Sequence, residues 1–463
     1  MEKSHKKNEK LTAQIIKLVF GGQGFARIEN PASPHDGKPA FIWNALPGED
    51  VEFRVTKAKK NFVEGIVTKV IKSSPKRIEP KEDHFSSCSP FQVLEYNEEN
   101  KQKVEMCREV FGRIGKIPDG SPTLETLEIV APKEEYGYRN KIEYNFKEDE
   151  KGQTKLAFFE RNQLVKTPIE PCILANSEIN KVAELILVFM HENKLTSGDV
   201  KSTIIRSNQK GEVIAALFFK NNKDLKQMEA IPKLSDTLKG FHIYLYDHRN
   251  VLYTEGQDFL VQEVKGTELK YGLNSFFQVN QEVFEEALGE IETQLSLHSE
   301  STTKNDGPIN SQAQEGRKEL PDLLDLYSGV GAIGLPLYKK CKSVTLVDSN
   351  REAIKFAKEN IALNKITNAT ARCSEAEKHL EIITADKVVI LDPPRAGIHE
   401  KLIQKLIKEQ PPMIIYLSCN ASTQARDIKL LSEKYTVKHL KLFNFFPRTP
   451  HVESLCVLEK TAA

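Results

Sequence analysis

The chain has 463 residues, of which 39% are hydrophobic and 28% charged, and its net charge is +1. This length predicts two or three domains of a globular protein. No run of about 18 apolar residues occurs, and the basic N-terminus lacks the apolar core of a secretory signal, so we expect neither a membrane-spanning segment nor export. The seven cysteines are scattered and odd in number. They argue against a disulfide framework and favour a cytoplasmic location.

Residues 1–72 are predicted to form a small β-barrel of the OB type. Short apolar or alternating runs separated by turn sequences indicate about five strands. Such barrels bind single-stranded nucleic acid on a basic, aromatic-bearing face. The lysine cluster in "TKAKKN" is a candidate for phosphate contacts, although a solvated surface explains it equally well. The aromatic candidates for base stacking, each of which also suits the core, are Phe25, Phe41, Trp43 and Phe62.

The rest of the chain divides into a middle region and an α/β region. Residues 73–265 are expected to be a linker followed by an α+β domain. From 266 to 463, strand-like and helix-like segments alternate, which predicts a doubly wound parallel sheet. Within this part, residues 296–320 are polar and rich in Ser, Asn, Gln and Gly, and we expect them to form a flexible loop.

A glycine-rich turn marks a candidate cofactor site. In "LLDLYSGVGAIGLPL", Gly329, Gly331 and Gly334 follow a predicted strand and precede a predicted helix. The next strand ends at Asp348, whose carboxylate can accept hydrogen bonds from the ribose of an adenosine cofactor. This arrangement fits NAD as well as S-adenosylmethionine. A rigid loop at "LDPPRAG", with Asp392 at its start, favours a methyl donor held against a flat ring.

A cysteine, Cys419, stands where the apolar run Met413–Leu417 meets the polar sequence "SCNAS". A buried structural thiol is the commoner explanation of an isolated cysteine. The alternative is a nucleophile displayed at the carboxyl edge of an α/β sheet, where such sheets bind their ligands.

Several motifs in order resemble one family. "DLYSGVGAIGLPL", "LDPPRAG", "YLSCNAST" and "FPRTPHVE" resemble the RNA 5-methyluridine methyltransferases, and "NSFFQVN", "GYRNKIEYNF" and "FFERN" are similar to further family segments. The N-terminal barrel resembles the TRAM domain that many members carry. The resemblance covers nearly the whole chain. It implies a Rossmann-like, S-adenosylmethionine-dependent methyltransferase domain and an RNA substrate.

The resemblance assigns roles residue by residue. It implies that Cys419 is the nucleophile and Glu453 the general base, and that Arg395 and Phe277 contact the substrate. The residues it assigns to S-adenosylmethionine are Gln278, Tyr327, Gly329, Gly331, Asp348 and Asp392.

The chemistry of uracil methylation suits these residues. A thiolate that adds to C6 makes C5 nucleophilic, and a base must later remove the C5 proton. Burial is expected to raise the pKa of Glu453 toward a useful range. The target uridine should be flipped out of its helix. The TRAM-like barrel favours rRNA over the tRNA T-loop, and a monomer is the default expectation.

The sequence departs from the family at the iron–sulfur cluster that many members hold through C-x5-C-x2-C and a later cysteine. Only Cys88 and Cys172 remain, and Glu82 and Phe91 occupy the other two positions. Two thiolates cannot replace four, so we expect no cluster and no metal ligands.

Three other functions are compatible with parts of the sequence. An RNA 5-methylcytosine methyltransferase would place a second cysteine in the D-P-P-like loop, where "LDPPRAG" has none. An RNA-binding protein with an inactive methyltransferase domain fits the barrel, but not the intact set of Cys419, Glu453 and glycines. A NAD-dependent enzyme is distinguished by which cofactor raises the melting temperature.

Overall fold

A computed structural model describes residues 9–161, 164–221, 228, 231–246, 250–303 and 320–461. Across these residues the chain folds into three large sheets and one separate β-hairpin. The mixed α/β fold class predicted from the sequence is confirmed, with an all-strand N-terminal unit and a largely parallel sheet at the C-terminal side. No helix in the described ranges is long and apolar enough to cross a membrane.

The N-terminal unit is a six-stranded sheet in the order β1-β5-β6-β4-β3-β2. Alternating buried and half-exposed residues along β5 place one face on an apolar core, as a period-two pattern requires. Register shifts interrupt the β5–β6 pairing at three places and bend the sheet. The strands are β1 (Lys10–Gln14), β2 (Lys17–Leu18), β3 (Gly24–Arg27), β4 (Pro39–Trp43), β5 (Asp50–Ala58) and β6 (Val63–Lys72).

The middle region contains a seven-stranded sheet in the order β10-β9-β8-β11-β12-β13-β14. Helix α4 covers one face through a stripe of buried apolar side chains, and the other face packs toward the C-terminal sheet. The elements are β8 (Lys141–Glu148), β9 (Thr154–Phe159), β10 (Lys166–Ile169), α4 (Ser177–Glu192), β11 (Val200–Ser207), β12 (Val213–Phe219), β13 (Leu238–Leu245) and β14 (Val251–Gly256). The hairpin of β15 (Phe259–Val264) and β16 (Thr267–Gly272) follows.

The C-terminal sheet has eight strands in the order β19-β18-β17-β20-β21-β23-β22-β7. Strands β17 to β21 are parallel, and β23 runs antiparallel to both of its neighbours. Its strands are β17 (Asp322–Leu326), β18 (Ser343–Asp348), β19 (Ala369–Cys373), β20 (Lys387–Leu391), β21 (Met413–Ser418), β22 (Tyr435–Phe443) and β23 (Glu453–Lys460). The helices are α5 (Gln281–Thr303), α6 (Arg351–Leu363), α7 (Glu400–Glu409) and α8 (Ala421–Leu431).

The segment between the first two sheets joins the C-terminal sheet. Its elements are α1 (Phe85–Cys88), α2 (Tyr96–Arg113), α3 (Pro122–Glu125) and β7 (Ile129–Val130). Strand β7 pairs in parallel with β22, and buried residues of α2 share a core with α7 and α8. The boundaries predicted at 72 and 265 mark changes in the sequence pattern. In the structure, however, α2 and β7 of the middle region pack with the C-terminal sheet.

The predicted flexible loop at 296–320 is partly wrong. Helix α5 continues to Thr303. Leu295 and Ser299, which are four residues apart and therefore on one face of the helix, are both buried. Residues 304–319 lie outside the described part of the chain.

Candidate active site

The predicted site residues gather at one edge of the C-terminal sheet. Parallel strands β17, β18, β20 and β21 end at the same edge, which carries the glycine-rich turn, Asp348, Asp392 and Cys419. Strand β23 runs the other way and therefore begins there, at Glu453. The sheet topology thus brings together residues from four separate motifs.

The glycine-rich turn is held by the acid of the neighbouring strand. The Gly329 amide donates to Asp348 Oδ2 over 2.9 Å, and the Asn350 amide donates to Asp348 Oδ1 over 2.7 Å. Tyr327, Gly329 and Gly331 all have positive φ angles, of 63°, 55° and 87°. A β-carbon on Gly331 would strain the backbone at this φ and would lie 2.7 Å from Cδ1 of the buried Leu335, so a larger residue is disfavoured.

The helix predicted after this turn does not form. Residues 329–337 make successive turns, and a short 3₁₀ segment follows at Tyr338–Lys340. Positive φ excludes a regular helix at Gly329 and Gly331, and the Gly334 amide donates to the side chain of Asp325.

A narrow cleft runs beside the turn. Its lining includes Gln278, Tyr327, Gly329 and Asp392, four of the six residues assigned to the cofactor. A β-carbon on Gly329 would meet nothing within 4 Å, so a side chain there would project into open space.

Phe277, which the sequence predicts to contact the substrate, lies in a different environment from its neighbour Phe276. Phe277 lines the cleft but is 2% exposed, and its ring stacks on Tyr271 with centroids 4.2 Å apart. Phe276 also lines the cleft, and 65% of its surface is exposed. Phe276 is therefore the ring that a ligand can reach, and the sequence alone did not separate the two.

Cys419 and Glu453 are neighbours across two antiparallel strands. The Cα register pairs Ser418 of β21 with Ser454 of β23, which places the next residues on each side, Cys419 and Glu453, opposite one another. Glu453 is buried, whereas Cys419 is half-buried at the strand end.

Burial dominates the electrostatics of this edge. It raises the pKa of Asp392 to about 7 and that of Glu453 well above its usual value. It also raises the pKa of the Cys419 thiol to about 11, with the nearby carboxylates adding to the effect. Arg395 opposes this shift through its charge and a hydrogen bond to the thiol. With a pKa of about 11, the Cys419 thiol is mostly protonated at neutral pH.

Side chains of α8 and of its N-terminal cap fix the loop that carries Arg395. Asn420 caps α8 and donates from Nδ2 to the Arg395 carbonyl over 3.0 Å, and the Thr423 hydroxyl donates to the same carbonyl over 3.2 Å. Asp427 Oδ2 accepts from the Ile398 amide over 2.8 Å and from the Tyr416 hydroxyl over 2.9 Å. Helix α8 therefore positions both Cys419 and the "DPPRAG" loop.

Asp325, a buried acid beneath the turn, was not among the site residues predicted from the sequence. Asp325 of β17 accepts from the Gly334 amide over 2.9 Å through Oδ2, while its Oδ1 has no hydrogen-bond partner among the described residues. Burial raises its pKa to about 8. A charged residue inside the apolar run "LLDL" was the available signal.

The sequence also missed the ion network under the "FPRTPHVE" loop. Glu99 of α2 pairs with Lys103 over 2.8 Å and with Arg448 over 3.2 Å. All three side chains are buried. Glu99 also accepts from the Arg448 amide over 2.9 Å, which holds the loop that leads into Glu453.

The chain matches two family models and several relatives over most of its length. The family model for tRNA (uracil-5-)-methyltransferase matches residues 122–461, and that for the TRAM domain matches residues 5–68. An RNA methyltransferase of Aquifex aeolicus is 30% identical over 98% of this chain and 99% of its own length. One of Caldanaerobacter subterraneus is 29% identical over 98% of this chain and its own full length.

A solved structure supports the fold. The Pyrococcus abyssi tRNA (uracil-54, C5)-methyltransferase in complex with S-adenosyl-L-homocysteine superimposes with a TM-score of 0.72 at 23% identity, covering 97% of this chain and 100% of the other. Because the family model matches most of the chain, the protein belongs to the tRNA (uracil-5-)-methyltransferase family and is an RNA (uracil-C5)-methyltransferase.

Proposed function

We propose that the protein forms 5-methyluridine through a covalent adduct between Cys419 and C6 of the target uracil, with Glu453 as the general base. The observation that carries this mechanism is the β21–β23 register, which sets the thiol opposite a buried carboxyl group. A nucleophile and a base on facing strands can act on adjacent ring atoms of one flat substrate.

Methylation at C5 begins with a temporary bond between sulfur and C6. The Cys419 thiol loses its proton to solvent as sulfur bonds to C6, and the electron pair of the C5–C6 double bond makes C5 nucleophilic. C5 then bonds to the methyl group, and the electron pair of the methyl–sulfur bond stays with the donor, which leaves as a neutral thioether. Glu453 takes the remaining C5 proton, the C5–C6 double bond returns, and the C6–sulfur bond breaks to release the thiolate.

The raised pKa values of Cys419 and Glu453 bear on the step that each residue would carry out. Since the pKa of Cys419 is about 11, attack needs the thiolate to be stabilised as the substrate arrives, and Arg395 is the nearby group that does so. The raised pKa of Glu453 makes its carboxylate a stronger base than an exposed glutamate.

The residues at the cleft fit S-adenosylmethionine, which supplies an electrophilic methyl group when bound. Asp348 would hold the ribose hydroxyls, because each of its oxygens keeps a lone pair beyond its amide contact. Gly329 would leave room for the cofactor, because a side chain there would enter the cleft. Gln278, Tyr327 and Asp392 would complete the pocket walls.

We propose rRNA as the substrate class, supported by the TRAM domain. Its Phe25, Phe41 and Phe62 rings form a half-exposed row with centroids 5.8 and 5.7 Å apart, suited to stacking on unpaired bases. The fold match to a tRNA uracil-54 enzyme favours tRNA as the second candidate. We expect the enzyme to act as a monomer in the cytoplasm, with RNA-binding units at 1–72 and 73–265 and the catalytic unit at 266–463.

The first experiment supplies labelled S-adenosylmethionine and separated rRNA and tRNA from a strain that lacks the gene. Label in 5-methyluridine of rRNA is expected. Label only in tRNA would replace the substrate class, and label in 5-methylcytidine would overturn the uracil assignment.

The second experiment tests the roles of the two facing residues. Glu453→Gln should still add to C6 and accept the methyl group, yet it should stay attached to RNA because no base removes the C5 proton. A band of protein crosslinked to RNA on a denaturing gel would report this adduct. The double variant with Cys419→Ala should abolish the band, and a matched surface variant, Glu433→Gln, should turn over normally. Release of product by Glu453→Gln at the wild-type rate would remove Glu453 from the mechanism.

A further inference from the structure

Four side chains with metal-ligating atoms meet where the linker after the N-terminal sheet packs on the middle sheet. One ligand atom from each of Glu82, His84, Cys88 and Cys172 lies within 4.8 Å of all the others. A tetrahedral ion with bonds of about 2.0–2.3 Å holds its ligands roughly 3.3–3.8 Å apart. Small side-chain movements would therefore close the four groups around one ion.

A buried nitrogen of this cluster lacks a hydrogen bond. The His84 side chain is 9% exposed, and its Nε2 has no hydrogen-bond partner among the described residues. This nitrogen lies 3.3 Å from Glu82 Oε1. An ion pair between His84 and Glu82 would explain those two residues, but not why two cysteines converge on the same point.

The carboxylate of Glu82 is already oriented. Its Oε1 accepts from the Ile173 amide over 2.7 Å, and its Oε2 accepts from Gln92 Nε2 over 2.9 Å. Outer hydrogen bonds of this kind fix metal-ligating carboxylates in place.

The four residues do not fit the iron–sulfur cluster of the family pattern. In that register the ligand positions are Glu82, Cys88, Phe91 and Cys172, which supply two thiolates. Phe91 is 2% exposed and packs in a separate apolar cluster with Leu18 and Met106. His84 lies outside the register, so sequence comparison with the cluster motif does not detect it.

We propose that Glu82, His84, Cys88 and Cys172 bind one Zn²⁺ ion with a structural role. Thiolate and imidazole donors in a closed four-ligand set favour zinc over Mg²⁺ or Ca²⁺. This site revises the expectation from the sequence that Cys88 and Cys172 bind no metal. It is independent of the proposed catalytic mechanism.

The surroundings suit the charge of this site and indicate its role. Two thiolates, a carboxylate and Zn²⁺ leave one negative charge, and Arg161 lies alongside, donating from Nε to the Ser86 carbonyl over 2.8 Å. The Arg161 guanidinium also covers the Trp43 ring of the N-terminal sheet at 4.4 Å. Asn44 of that sheet donates to the Ser86 hydroxyl over 3.1 Å. The ion would therefore fix the TRAM domain against the middle sheet.

The test is metal analysis of the full chain purified without chelators. We expect about one zinc per chain and no acid-labile sulfide. After removal of zinc, added Co²⁺ should give the visible bands of a tetrahedral site and a thiolate-to-cobalt charge-transfer band. Four irons with sulfide, or zinc below about a tenth per chain, would overturn the proposal.

Variants locate the site on these residues. Cys172→Ser and His84→Ala should each lower bound zinc severalfold, and the matched control Cys373→Ser, an exposed cysteine of the C-terminal sheet, should retain it. If the variants do not fold, thiol titration of the wild-type protein decides. Two thiols should be protected from a disulfide reagent until a chelator is added. A disulfide between Cys88 and Cys172 in freshly purified protein would contradict the proposal.

Discussion

Two groups of buried charged residues lie close together in this enzyme, and they are organised in opposite ways. Under the "FPRTPHVE" loop, Lys103 donates to Glu99, Asn444 and the Phe446 carbonyl, so all three of its protons have acceptors. At the sheet edge, by contrast, the buried Asp325 and Glu453 and the half-buried Asp392 have few partners among the described residues, and their pKa values are raised. Paired charges hold the loop in place, whereas desolvation raises the pKa values of the poorly paired acids toward neutral pH.

The largest expected effect is on the reactive edge. Replacing Cys419 with Ala should lower methyl transfer by about 10⁴-fold or more, because no other group at this edge can add to C6. The measurement is single-turnover transfer of labelled methyl to RNA, with cofactor binding followed separately. Cys373→Ala is the matched control and should keep wild-type turnover.

The next largest effect is expected on stability, when Glu99 is removed from its ion pairs with Lys103 and Arg448. Glu99→Ala should lower the free energy of unfolding by about 3–5 kcal/mol, because it leaves Lys103 and Arg448 buried without their carboxylate. Denaturant unfolding measures this change. Glu375→Ala removes the exposed pair with Lys378 and should cost less than about 1 kcal/mol. Equal losses of unfolding free energy in Glu99→Ala and Glu375→Ala would show that the buried ion pairs do not hold the loop more strongly than an exposed pair does.

A pH dependence should distinguish Asp325. Its folded-state pKa of about 8 lies above the usual 3.8, so between these values the unfolded chain binds fewer protons than the folded one. Stability from this group therefore falls as pH rises through that window. Asp325→Asn does not titrate, and its stability relative to wild type should increase between about pH 4 and pH 8. A difference that stays constant across unfolding curves in this range would contradict the raised pKa.

Gly329→Ala should have only a small effect on stability but should specifically weaken cofactor binding. Gly329→Ala and Gly152→Ala both place a β-carbon at positive φ with nothing within 4 Å, so each should cost about 1 kcal/mol. Only Gly329 lines the cleft, and only its substitution should reduce the rise in melting temperature that S-adenosylmethionine causes. Similar rises in both variants would place the cofactor elsewhere.

The sequence predicted the parts of this molecule that depend on local pattern. The strand-turn-strand context of Gly329 and Asp348, and the strand end at Cys419, follow from periodicity and turn residues. The pairing of Glu99 with Arg448 could not be predicted, because it joins residues 349 positions apart through the packing of α2. The high pKa of Cys419 likewise arises from burial and neighbouring carboxylates that only the folded sheet brings together. The cluster around His84 depends on a similar long-range approach of Cys172.

The pairing of β7 with β22 has a consequence for biosynthesis. Strand β7 and helix α2 leave the ribosome long before β22 and α8, the elements that they pack against. Until then, the apolar face of α2 and its Glu99–Lys103 pair have no partner loop, and the nascent chain exposes a surface that a chaperone would recognise. The thiol and its base are joined at the same late step. An incomplete chain could therefore hold cofactor without being able to modify the RNA around it.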